Sequence, residues 1–188
     1  MESNATLLSS ELSPSRNYHL LISLLVPRPI AWVSSVSSIG KNNLAPFSFY
    51  GGICGDPPMI GLGIARKLCG KKKDTAENIL ETEEFVVHLA EIGQLGNIVG
   101  SSKELSPGES EAEDLGLELV PSHAVHPPSL AAAGIRLECK LFQHQELGNG
   151  PVDHIIGEVV AFVLPSELMD SDGRVKEELF SPVGRMGG

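Results

Sequence analysis

Long apolar runs are missing from this 188-residue chain. The most apolar stretch, Leu20 to Val26, stops at Pro27-Arg28-Pro29, far short of the ~20 residues a membrane helix needs. The polar segment ahead of it has no basic start and no small-residue cleavage site, so it does not read as a secretory leader. Cysteine is scarce. Cys54, Cys69 and Cys139 are odd in number and widely spaced, which excludes a disulfide framework or a zinc site and predicts free thiols in a reducing cytoplasm. Positive charge is outnumbered: 14 Lys and Arg stand against 24 Asp and Glu, for a net charge of −10. That balance argues against a nucleic-acid partner or an anionic membrane, and any bound phosphate must be held by a local cluster. The histidines at 19, 88, 123, 126, 144 and 154 share no metal-ligand spacing. A nucleophile elbow, a Walker loop, a dinucleotide glycine pattern, an internal repeat and a domain linker are all lacking.

What is present is punctuation. The chain has 20 Gly and 13 Pro, with an ordinary 41% hydrophobic and 20% charged residues, which favours many turns and a strand-rich fold. The length predicts one domain over residues 16–188 behind a loose, Ser-rich arm at 1–15. Arg28 to Phe49 holds two apolar runs around a polar, glycine-containing turn, a hairpin signal. Pro46 inside the second run cannot donate to a central ladder, so it marks an edge or a bulge. A helix is predicted over Asn17 to Leu25, then strands over Met59 to Ala65, Glu84 to Ala90, Ile135 to Phe142 and His154 to Leu164. A helix capped by Asp74 or Thr75 and running to about Glu81 lies between them. In the Ile135 strand, Ile135, Leu137, Cys139 and Leu141 alternate with Arg136, Glu138 and Lys140, which predicts one buried and one wet face. Six strands without regular strand–helix alternation predict a mainly β fold, an antiparallel barrel with helices outside it.

Two stretches could carry chemistry. Arg66 to Lys73 puts five cations in front of a helix start at Asp74-Thr75. Backbone N–H groups, the helix dipole, the Thr75 hydroxyl and Lys73 suit a phosphate; a solvated basic loop before an ordinary helix fits the same residues. In the hairpin, Ser34, Ser35, Asn43 and Ser48 offer hydrogen bonds, while Trp32, Phe47 and Phe49 offer flat apolar surface. The alternative there is a barrel core whose few polar groups are tied to backbone, with Trp32 inside it. His154, beside Asp153 at the start of a central strand, is either a site histidine or a plain strand end.

Read in order, these segments resemble the flavin reductase-like family of FMN-binding split-barrel proteins, the flavoredoxin-like group. The resemblance rests on Pro27-Arg28-Pro29-Ile30-Ala31-Trp32-Val33-Ser34-Ser35, on Asn43-Leu44-Ala45-Pro46-Phe47-Ser48-Phe49 with Asp56-Pro57-Pro58, and on Lys73-Asp74-Thr75-Ala76-Glu77-Asn78-Ile79 with Glu84-Phe85-Val86-Val87. It extends to Ile155-Ile156-Gly157-Glu158-Val159 and to Pro182 through Gly188. It implies a six-stranded antiparallel Greek-key split barrel that forms a cytoplasmic homodimer with noncovalent FMN near the subunit interface. Arg28, Trp32, Val33, Ser34 and Ser35, with Asn43, Ala45, Pro46, Phe47 and Ser48, would line the isoalloxazine and ribityl chain. Arg66, Lys73, Asp74 and Thr75 would hold the phosphate, assisted by Asn78. The implied activity is an NAD(P)H-dependent flavin or ferric reductase, with a small-molecule electron acceptor or a partner oxygenase downstream and His154 the candidate on the nicotinamide side. An FMN-binding electron carrier without its own nicotinamide site is the alternative.

Overall fold

The computed structural model describes residues 4–103, 105 and 109–187. In chain order the elements are α1 (Pro14–Leu24), β1 (Arg28–Pro29), β2 (Ala31–Val36), β3 (Asn42–Phe47), β4 (Tyr50–Gly55), β5 (Pro58–Ala65), α2 (Asp74–Thr82), β6 (Glu84–Leu89), α3 (Leu95–Gly100), α4 (Glu111–Asp114), β7 (Leu119–Val120), β8 (Ser129–Leu130), β9 (Arg136–Leu147), β10 (Val152–Val163) and β11 (Gly184–Arg185). No helix among the described residues is long and apolar enough to cross a membrane.

The predicted hairpin is the β2–β3 pair, in register from Ala31 opposite Phe47 to Val36 opposite Asn42. Pro46 sits on an edge strand, where its missing N–H costs no ladder bond. The sheet is antiparallel and runs β3-β2-β6-β9-β10-β5-β4. It therefore has seven strands where the sequence predicts six. The extra one is β4, whose Gly51-Gly52 carries no strand periodicity. β3 also packs against β5 without hydrogen-bonding to it. The sheet thus curls until its two ends approach and stay split: a split barrel.

Two apolar clusters explain why β2 is buried along nearly its whole length. Inside the barrel, Ala31 and Val33 meet Phe47, Leu62, Phe85 and Ile155, with Ala76 and Ile79 of α2 plugging one side. On the outer face, Trp32 and Leu44 pack with Ile98 of α3, Ala112 of α4 and Leu130. Trp32 is a core residue, and its indole N–H donates to Ser101 Oγ at 2.9 Å. Fully buried His88 of β6 bridges β2 and β8. Its Nδ1 lies 2.9 Å from the Trp32 carbonyl, and its Nε2 accepts the Leu130 N–H at 2.9 Å. Both contacts suit the neutral ring, and burial pushes the His88 pKa down to about 4.

Three local expectations are corrected. α1 begins at Pro14 rather than Asn17, because Ser13 Oγ accepts the Arg16 N–H and Pro14 suits a first helical turn. α2 has Lys73 at its cap position, and no side chain caps it. Glu138, predicted wet, is wholly buried. Its carboxylate accepts the backbone N–H groups of His123 and Ala124, which satisfies a charge buried away from water.

Candidate functional site

A cleft of about 670 Å³ opens beside the edge strand β3. Its floor is β3 and the residue after it: Asn43, Ala45, Pro46, Phe47 and Ser48. One end is the start of α2, with Lys73, Asp74, Thr75 and, from the preceding loop, Lys67. Leu95, Ile98 and Val99 of α3 form an apolar wall that continues through Ser101 to Lys103. Ile30, Gly184 and Arg185 close the other end.

A buried polar chain joins the helix start to the strands. Asn43 Nδ2 donates to Thr75 Oγ1 at 2.8 Å, and Asn78 Nδ2 donates to Ser35 Oγ at 3.1 Å. Asn43 lies 3.4 Å from Ser35 Oγ as well. Because Thr75 Oγ1 accepts from Asn43, its own proton is left to donate, and Thr75 faces the cleft. The first N–H groups of α2 point out at the same place, where the helix dipole favours an anion. Lys67 Nζ pairs with Asp74 at 2.7 Å. Lys73 enters no ion pair among the described residues. Glu111, of α4, takes the Leu44 N–H at 2.9 Å from the edge of β3. Its pKa is raised, by burial first and by nearby Asp74, against the pull of the Leu44 hydrogen bond.

The cleft therefore brings together Asn43, Ala45, Pro46, Phe47, Ser48, Lys73, Asp74 and Thr75 from the residues singled out in the sequence. The others stand elsewhere. Trp32 and Val33 belong to the two apolar clusters. Ser34 Oγ donates to the Pro128 carbonyl at 2.6 Å, and Ser35 and Asn78 lie one layer beneath Thr75. Arg28 is buried, and its guanidinium donates to the carbonyls of Ile22, Leu25 and Gly187, tying the end of α1 to the end of the chain. Arg66 is engaged by buried Asp153 at 3.1 Å and by Glu146, with Lys72 and His144 on the same carboxylates. Burial opposes ionisation of Asp153, but hydrogen bonds from Arg66 and His144 outweigh it and hold its pKa below the usual range. His154 lines a separate, more open hollow of about 470 Å³ with Phe49 and Gly61, and Ser48 borders both.

Sequence reasoning did not find Glu111, the α3 wall or Arg185. Glu111 carries no local signal, nothing local places α3 against β3, and Arg185 reaches the cleft only because β11 pairs with β1, 28 opposite 185.

The chain matches the flavin reductase like domain over residues 23–178. It belongs to the flavin reductase-like family. A relative from Halalkalibacterium halodurans is 43% identical over 181 residues, covering 94% of this chain and 86% of that protein. Among solved structures, nitrilotriacetate monooxygenase component B from Bacillus cereus superposes with a TM-score of 0.94 at 34% identity, covering 100% of this chain and 94% of that one. The Pseudomonas fluorescens 2-nitrobenzoate 2-nitroreductase NbaA gives 0.88 at 34% identity, covering 98% and 89%. The cleft fits the flavin this family implies. Its volume lies within the range of small-molecule sites. Its helix start suits a phosphate, and Pro46, Phe47, Leu95 and Val99 give apolar surface for a flat ring.

Proposed function

We propose that the chain binds FMN in this cleft, reduces it with NADH or NADPH, and passes the electrons to a separate acceptor. The observation that carries the reading is the start of α2, uncapped by any side chain and held by Asn43 against the floor of an apolar cleft. Bound flavin would supply the redox chemistry. The chain's own part is to bind, orient and dry the ring. The N–H groups of Asp74 and Thr75, the Thr75 hydroxyl, Lys67 and Lys73 would hold the phosphate. The strand at Ala45 to Ser48 would flank the ring, and the α3 wall would keep water from it. Such chemistry needs no side-chain acid–base dyad. A monooxygenase component among the similar structures supports an oxygenase as acceptor, and a nitroreductase supports a small aromatic one.

We further propose a cytoplasmic homodimer. Leu21, Leu24 and Leu25 of α1 and its end, and Ile53 of β4, are all exposed large apolar side chains, the kind of surface that association covers. Light scattering should give twice the chain mass of 20.0 kDa; a monomer that retains flavin would overturn this.

The test of the activity is anaerobic mixing of FMN-loaded protein with NADH or NADPH, following absorbance near about 450 nm. Rapid bleaching by one of them is expected. Bleaching by dithionite but by neither nucleotide would contradict a reductase and leave an electron carrier.

A further inference from the structure

Cations stand at both ends of the cleft. At the α2 end are Lys67 and Lys73, with the helix start held at Asn43. At the other end is Arg185, opposite Arg28 in the β1–β11 pair, while Ala31 stands opposite Phe47 in the hairpin. Arg185 thus lies by the Phe47–Ser48 end of β3. Four residues of strand separate Asn43 from Phe47, or about 13 Å. Lys103 lines the same cleft from beyond α3. Lys67 is matched by Asp74, but no ion pair among the described residues engages Arg185 or Lys103. In a chain of net charge −10, two unmatched cations facing one cleft form a local positive island.

An FMN has a single phosphate group, and the α2 end accounts for it. The distant cations then have no anion on that ligand to meet. We propose that Arg185, aided by Lys103, forms a second anion subsite. It would bind the anionic group of the small molecule that exchanges electrons with the flavin: the pyrophosphate of a dinucleotide donor or the carboxylate of an aromatic acceptor. The guanidinium fork suits either oxyanion. This rests on the flavin reading of the cleft.

The test uses FMN-loaded protein and two probes that cannot react, ADP-ribose and benzoate, titrated against the flavin spectrum. FMN affinity is measured first, so a failure of the flavin reading shows before any probe is added. In Arg185→Gln, binding of one probe should weaken about tenfold or more, and by more than FMN binding does. Loss for ADP-ribose alone assigns the subsite to the donor; loss for benzoate alone assigns it to the acceptor. Arg185→Lys should recover part of the loss, and Lys103→Gln, at an exposed position, gives a second reading should the first variant fail to fold. Equal probe binding by wild type and variants, no probe binding to wild type, or a tenfold loss of FMN itself in Arg185→Gln would overturn the proposal.

Discussion

Asn43 of β3 donates to Thr75 of α2 at 2.8 Å, and this one hydrogen bond fixes the start of the helix against the floor of the cleft. Both residues are at least nine-tenths buried. Thr75 therefore has two duties, one in the fold and one toward a ligand. Thr75→Val should cost about 1–3 kcal/mol of stability, because Asn43 is left with an unmade bond. Lys73→Ala carries no such penalty. It should weaken FMN binding about tenfold while leaving the melting curve where it was. An unchanged FMN affinity would mean that the phosphate is held elsewhere.

Arg66 offers the contrasting case. Its partners are Asp153 and Glu146, away from the cleft. Arg66→Gln should lower the melting temperature and leave FMN affinity within about twofold of wild type, since a neighbour outside the site changes binding little. Asp153→Asn, which removes the shared carboxylate charge, should cost about 2 kcal/mol or more. A large loss of FMN affinity in Arg66→Gln, with stability intact, would return Arg66 to the phosphate.

The contrast between Lys73 and Arg66 shows how far the sequence reads. Both are basic residues in one loop, and nothing local separates them. What separates them is Asp153, 87 residues beyond Arg66, whose approach depends on β10 pairing with β5. The hairpin, an edge or bulge at Pro46, the central place of β10 and a helix start close to Asp74-Thr75 are legible, because each has a local pattern. Glu138 misled for the opposite reason. Its place in an alternating strand says wet, but the loop N–H groups that satisfy its carboxylate lie 14 and 15 residues upstream. The far end of the cleft stayed hidden because it is assembled by the β1–β11 pairing.

His88 sets a pH dependence. Its pKa in the fold is about 4 against an ordinary 6.5. The fold holds the ring neutral, so the unfolded chain takes up the proton first as pH falls. The contribution is complete above about pH 6.5 and is lost progressively down to about pH 4, amounting to about 3 kcal/mol. Glu84, whose pKa is lowered by its hydrogen bonds with His126 in spite of burial, adds a loss in the same direction, below the ordinary Glu value of 4.5. Denaturant unfolding between pH 4 and 7.5 should show the His88 slope. His88→Gln should be less stable at pH 7.5 and should lose most of that slope. A variant with the wild-type slope would place the titration in another group.

Gly157 in β10 faces the ring of Phe85: a Cβ there would lie 2.8 Å from Phe85 Cε1 and closer still to Cζ. Phe85 is fully buried and cannot swing aside cheaply. Gly157→Ala should cost about 1–3 kcal/mol, read as a lower unfolding midpoint. Equal stability would mean that the barrel core has slack at this layer.

The most direct test of the account is the absorbance spectrum of the purified protein after incubation with FMN and desalting. Flavin bands near about 375 and 450 nm should survive desalting in wild type and should be weaker in Lys73→Ala. A wild-type protein that emerges colourless, while folded by circular dichroism, would contradict a resident flavin in the β3–α2 cleft.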